Sequence, residues 1–222
     1  MADVVTIDGP DAASYLQGQI TQDVNGLAVG DAAWTFVLEP TGRVVALARL
    51  ERAGTERFEL TVDAGWGATL HARLARFKLR VKAELTLHEA ADEAGRDGSG
   101  RTPMERIATG WPAMGAEITP GETIPAETGL NPLAVNFTKG CYTGQELVER
   151  MDARQAAAPR RLVRLHTSTT APLISGDELH LGGKVVGRVT TAVETVALAY
   201  VARSVPDDAT LDGDVRVEPI VH

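Results

Sequence analysis

Between residues 66 and 85 the hydrophobic period of the chain changes, and this constrains the fold more than any other feature of the sequence. Leu70, Leu74 and Phe77 recur at helical spacing behind Trp66. Phe77, Leu79, Val81 and Leu85 then alternate with Arg76, Lys78, Arg80, Lys82 and Glu84, the period of a strand that buries one face. A helix running straight into such a strand has to lie across a sheet. The preceding residues supply that sheet. Residues 4–7 read as a strand closed by Gly9-Pro10, and Asp11 is a good N-cap for a helix through Ala12, Tyr15, Leu16 and Ile20. Residues 33–38 and 43–50 flank the turn Glu39-Pro40-Thr41-Gly42, and residues 58–62 alternate cleanly. The succession predicts an α+β sandwich of ferredoxin-like type.

The second half is organised differently. Residues 90–102 have loop composition, residues 105–109 read as a strand, and proline and glycine punctuate residues 112–132. A linker is expected over residues 155–159. Beyond it, short β-type runs at 162–166, 178–181, 185–191, 196–201 and 215–219, with Gly182-Gly183 as a hairpin turn, predict a small antiparallel barrel. Two units follow from this, residues 1–155 and 160–222.

The net charge of −8 argues against a general nucleic-acid coat. No apolar stretch is long enough to span a bilayer, and the first residues carry no basic or long apolar leader, so a cytoplasmic protein is expected. The single cysteine excludes an intramolecular disulfide and suits a reducing compartment. The five histidines show no metal-ligand spacing, and no metal is expected. Ser/His/Asp, Walker and Rossmann patterns find no match.

That cysteine, Cys141, lies in the run Lys139-Gly140-Cys141-Tyr142-Thr143-Gly144-Gln145-Glu146, just before a predicted helix. Thr143 is the expected N-cap, and Glu146 would complete a capping box. Unpaired N–H groups, the helix dipole and the nearby Lys139 ammonium would each favour the thiolate. Gly140 and Gly144 permit a tight path that leaves the sulfur accessible. A small buried hydrophobe is the alternative reading of a lone cysteine.

The cations Arg73, Arg76, Lys78, Arg80 and Lys82 offer an anion platform, for a polycarboxylate tail or an RNA phosphate. Simple alternation explains them as the solvated face of a strand, which is the favoured reading. Few aromatic residues are present to stack bases. The amides of Gln17 and Gln19 can reach a cleft, or cap a helix locally.

The octapeptide resembles the K-G-C-Y-x-G-Q-E signature of the YgfZ family, folate-binding relatives of the glycine-cleavage T protein. The resemblance extends over residues 9–24, Pro40-Thr41-Gly42-Arg43, residues 74–81, Gly110-Trp111-Pro112, Ile124-Pro125-Ala126-Glu127, Gly187-Arg188-Val189-Thr190-Thr191 and residues 197–201. It implies a T-protein-type domain followed by a C-terminal barrel. It also implies tetrahydrofolate as cofactor, and a role in iron–sulfur cluster assembly or repair that bears indirectly on tRNA modification. Cys141 would be the working atom, Lys139 would stabilise its charge, and the Gln145–Glu146 end of the helix would orient the site. Arg106, Trp111, Gln19 and Arg80 would contact folate, Trp111 by stacking or else by burial in the core. Folate and iron–sulfur proteins are the implied partners, with neither nucleic acid nor a membrane among them.

Two departures from the T protein stand out. Residues 87–103 are too few for the usual middle region, and no G-E-x-G-x-E motif is present. Residues 42–50 carry no carboxylate where the aminomethyltransferase has a catalytic aspartate. Aminomethyl transfer is therefore the alternative function, and a non-catalytic interaction module without folate is the second alternative.

Overall fold

The computed structural model describes residues 2–90, 100–153 and 158–222. The loop and linker expected around residues 90–102 and 155–159 fall largely outside them. Five strands form the first sheet: β1 (Ala2–Asp8), β2 (Ala32–Leu38), β3 (Val44–Glu51), β4 (Arg57–Asp63) and β5 (Glu84–His88). Their order is β2-β3-β4-β1-β5, and every pairing is antiparallel. With α1 (Ala12–Gln17) and α2 (Gly67–Arg76), the β3-β4-β1-β5 portion has the ferredoxin-like order, and β2 adds an edge strand. Leu16, Leu70 and Leu74 are fully buried with Val5, Ile7, Phe58 and Leu60, each large side chain contributing about 1.5–3 kcal/mol of transfer free energy.

Strand β3 is buried over five consecutive residues, because a second layer covers its other face. Leu47 N–H meets the Met114 sulfur at 3.5 Å, and Val44 N–H donates to Thr123 O at 2.8 Å. The proline- and glycine-rich stretch is thus the outer cover of the sheet. It follows α3 (Pro103–Thr109), includes a 3-10 turn at Pro125–Glu127, and runs through α4 (Asn131–Ala134) to α5 (Gln145–Ala153).

The second sheet comprises β6 (Arg160–Thr167), β7 (Glu178–Leu181), β8 (Lys184–Val193), β9 (Val196–Ala202), β10 (Thr210–Leu211) and β11 (Val215–Pro219). Its order is β10-β11-β6-β9-β8-β7. The sheet curls until its ends meet, with Asp212 N–H donating to His180 O at 2.9 Å, so it forms the nearly closed antiparallel barrel that the short β runs imply. Val163, Leu165, Val189, Ala199 and Val201 fill its interior. The outer side of β9 packs Leu198 and Tyr200 against Ile107 of α3.

Several local expectations are corrected. Residues 77–83 form no strand; the chain turns there and pairs only from Glu84. Residues 103–109 are helical rather than extended, because Thr102 Oγ1 accepts from Glu105 N–H at 3.3 Å while Glu105 Oε2 accepts from Thr102 N–H at 2.7 Å. This capping box fixes a helix start that the apolar pattern does not reveal. Helix α1 ends at Gln17, and the Asp11 carboxylate accepts from Lys82 N–H at 2.8 Å instead of capping it.

Candidate functional site

The exit of α1, the β2–β3 turn and the start of α5 converge around the octapeptide. Gly144 has φ +86°, and a Cβ there would lie 2.6 Å from Glu39 O. Gly42 has φ +82°, and its Cβ would lie 2.4 Å from the Leu147 Cβ. Glycine at both positions lets the hairpin tip rest directly on the first turn of α5. From the other side, Gly18 O accepts from Thr143 N–H at 3.0 Å and from its hydroxyl at 3.4 Å.

Thr143 is therefore held by the α1 exit and does not act as the predicted N-cap. Gln145 takes over the local capping: its Oε1 accepts from Tyr142 N–H at 3.1 Å, and its Nε2 donates to the Glu149 carboxylate. The expected Glu146 half of a capping box is replaced by this arrangement.

Lys139 is buried, and its ammonium donates to the carbonyls of Gln17 at 2.7 Å, Ile20 at 2.7 Å and Gln22 at 2.8 Å. All three protons are thereby directed at the backbone that follows α1. Burial pushes its pKa down to about 8, against a smaller opposing pull from Asp23. Its Nζ also lies 5.3 Å from the centre of the Tyr142 ring.

Cys141 is exposed. With Pro40, Tyr142, Gly144, Gln145, Glu146 and Glu149 it lines an open groove of about 400 Å³. Its charged lining residues are the two glutamates. Gly140 is also exposed, and a Cβ there would meet nothing within 4 Å. The Tyr142 ring packs into the core, and its hydroxyl is buried without a hydrogen-bond partner among the described residues. Burial, and secondarily the Glu149 charge, pushes that phenol up to about 12. Pro40 and Glu149 are groove residues that sequence reasoning missed. Glu149 was findable as the i+4 neighbour of Gln145 on one helix face, whereas Pro40 is brought in only by tertiary packing.

The four side chains expected to contact folate have the following surroundings. Arg106 is buried and pairs with Glu117 at 2.7 Å, and Glu117 in turn accepts from Ala113 N–H at 2.9 Å and from the Thr191 hydroxyl at 2.6 Å. Trp111 is buried in a tilted contact with Trp34, ring centres 4.5 Å apart, beneath the Arg101 guanidinium. Gln19 Oε1 accepts from Arg73 at 3.1 Å, and Arg80 is exposed on the turn after α2. None of the four lines the Cys141 groove, the cavity of about 470 Å³ beside Arg160 and Tyr200, or the one of about 190 Å³ beside Met104 and His166. Among the described residues, no group of three or more His, Cys, Asp or Glu side chains could hold a metal ion, and no helix is long and apolar enough to cross a membrane.

An α+β domain of ferredoxin-like order joined to a small barrel is the architecture of the glycine-cleavage aminomethyltransferases. The crystal structure of glycine cleavage system aminomethyltransferase T from Bartonella henselae matches 99% of this chain and 83% of its own with a TM-score of 0.84, at 17% sequence identity. Sequence relatives narrow the class. An iron–sulfur cluster assembly factor IBA57 homolog, mitochondrial, from Neurospora crassa is 28% identical over 78% of this chain. An uncharacterized protein of Haemophilus influenzae is 28% identical over 86% of it, and an aminomethyltransferase of Rippkaea orientalis is 26% identical over 96%. The chain is thus similar along most of its length both to iron–sulfur cluster assembly factors and to aminomethyltransferases. It spans 54% of the length of both the Neurospora and the Rippkaea proteins, and 81% of the Haemophilus protein. No family model matches the chain.

Proposed function

We propose that this protein supports iron–sulfur cluster assembly or repair through Cys141, and bears on tRNA modification only through the iron–sulfur enzymes that perform it. The observation that carries the reading is an exposed thiol at the mouth of a groove whose backbone is fixed from two sides, by the Lys139 clamp and by the glycine contact between hairpin and helix. The names of the Neurospora relative and of a Pyricularia oryzae relative, 27% identical over 95% of this chain, support the process. A single thiolate cannot hold a stable cluster, so its contact with iron is shared with a partner or brief. Iron would bind at Sγ, or the thiolate would attack a partner's disulfide to form a mixed disulfide there and release the partner's other sulfur as a thiolate, with Gln145 and Glu149 setting the shape and charge of the wall beside it.

The test has two parts. Iodoacetamide should alkylate Cys141 in the native protein at least as fast as in the urea-unfolded chain; protection in the native state overturns the thiol's role. In a strain lacking the gene, Cys141→Ser should leave iron–sulfur enzyme activity low, and full restoration by that variant overturns the reading.

Tetrahydrofolate binding is a second reading, favoured by the aminomethyltransferase relatives. Titration monitored by tryptophan fluorescence decides it, and no response at high micromolar ligand removes folate from the account.

A further inference from the structure

The turn between α2 and β5 plays no part in the thiol groove, and it is where the hydrophobic alternation and the structure part company. Alternation places Phe77, Leu79 and Val81 on one inward face, yet Leu79 is 81% exposed while Val81 packs partly against the core. Arg76, Arg80 and Lys82 are exposed around it, and Lys78 is half-buried. Among the described residues none of these four cations forms an ion pair.

The turn is nonetheless held firmly at both ends. At its start, the guanidinium of Arg73 lies 4.2 Å from the centre of the Phe77 ring and that of Arg76 lies 5.6 Å from it. At its end, Lys82 N–H donates to Asp11 Oδ2 at 2.8 Å, Asp11 N–H donates to Lys82 O at 3.3 Å, and a Cβ on Gly9 would lie 2.5 Å from that same carbonyl oxygen. Between the anchors Arg80 takes φ +57°, a left-handed conformation that an L side chain adopts only when its surroundings enforce it. A leucine is thus presented on a fixed support, ringed by unpaired positive charge, in a protein whose net charge is −8.

We propose that residues 76–82 dock an acidic segment of a partner protein, with Leu79 entering an apolar socket and the surrounding cations meeting carboxylates. Charge complementarity names the sign of the partner, and the leucine names its kind. An aliphatic tip offers no face for stacking bases, and the Phe77 ring is already covered by guanidinium groups. A uniformly anionic polymer or bilayer would also meet the acidic remainder of the molecule, whereas a short acidic segment can touch the turn alone. Pre-organisation of the turn lowers the ordering cost of such binding.

Fluorescence anisotropy with a labelled peptide of repeated Glu-Glu-Leu tests the proposal on the whole chain. The wild-type protein should bind it saturably at low salt and more weakly as added salt screens the charges. Arg80→Asn combined with Lys82→Gln should weaken binding about tenfold, asparagine being chosen because it tolerates the left-handed backbone. Leu79→Ser should weaken binding about fivefold while leaving the salt dependence unchanged. Cys141→Ser should bind like wild type, which separates this docking from the thiol reading. Absence of saturable binding, or equal binding by the turn variants, overturns the proposal. So does tighter binding of oligothymidylate or phosphatidylserine vesicles through the same residues.

Discussion

Lys139 and Cys141 are two residues apart, and from that spacing an ammonium that stabilises a thiolate is a natural expectation. The structure instead gives the ammonium three carbonyls, those of Gln17, Ile20 and Gln22. Sequence proximity does not say which way a side chain points when the backbone between is irregular, and so the direction of Lys139 was not legible. The arrangement makes Lys139 a clamp that holds the α1 exit against the octapeptide. Replacing it with methionine would leave buried acceptors without a donor, at about 1–3 kcal/mol for each group that water cannot reach. Lys139→Met should therefore lower stability by about 3 kcal/mol or more, read as a shift of the urea midpoint with unchanged slope. A variant as stable as wild type would show that Lys139 does not clamp the site.

At the scale of elements, α3 joins the two sheets. Ile107 packs on the outer face of β9, while Arg106 reaches Glu117 and Thr191 of β8. The ion pair is almost wholly buried, with side-chain exposures of 8% and 0%. Glu117→Gln keeps the shape and removes the buried carboxylate charge that faces the Arg106 guanidinium, which should cost about 1.5–3 kcal/mol. Denaturant unfolding followed by tryptophan fluorescence measures it, and a loss below 1 kcal/mol would show that the pair does not tie barrel to sheet. Helix α3 was missed, because the weak β pattern of residues 105–109 was followed and the capping-box spacing of Thr102-Pro103-Met104-Glu105, which fixes the helix, was not. Strands β2, β3, β4, β6 and β9 were legible because each buries at least one face over several residues. The strand expected at residues 77–83 fails because alternation records chemistry, not burial. Local backbone bonds at residues 77–79, with the contacts to Asp11 and Gly9, turn the chain there and leave Leu79 outside. In the same way the site was legible as a segment and not as a groove, since Pro40 arrives from a hairpin about a hundred residues away in sequence.

For the whole molecule, the three tyrosines provide a test of how tightly its layers close. Tyr15 and Tyr142 are buried in the first core and both are pushed up to about 12 by burial; Tyr200, between barrel and α3, is pushed higher still for the same reason. The Tyr15 hydroxyl donates to Leu74 O at 2.5 Å, which further favours the protonated phenol. Since an unfolded chain loses its phenol protons near pH 10, the folded state binds more protons than the unfolded state from about pH 10 to 12. Stability must then fall as pH rises through that window and is fully present below it. Lys139 acts in the opposite sense at lower pH. Held at about 8 in the fold and near 10.4 when unfolded, it gives the unfolded chain the greater proton affinity, so its contribution rises with pH between those values. The stability curve should accordingly hold or climb from pH 8 to about 10 and then decline steeply toward pH 12. Absorbance at the phenolate band should show almost no tyrosine ionisation near pH 10 in the native protein, followed by a cooperative appearance of all three phenolates as the fold opens. Gradual ionisation of one or more tyrosines near pH 10, with the far-ultraviolet circular dichroism unchanged, would mean that water reaches these rings and that the two sheets are not closed over α3 and the octapeptide as described.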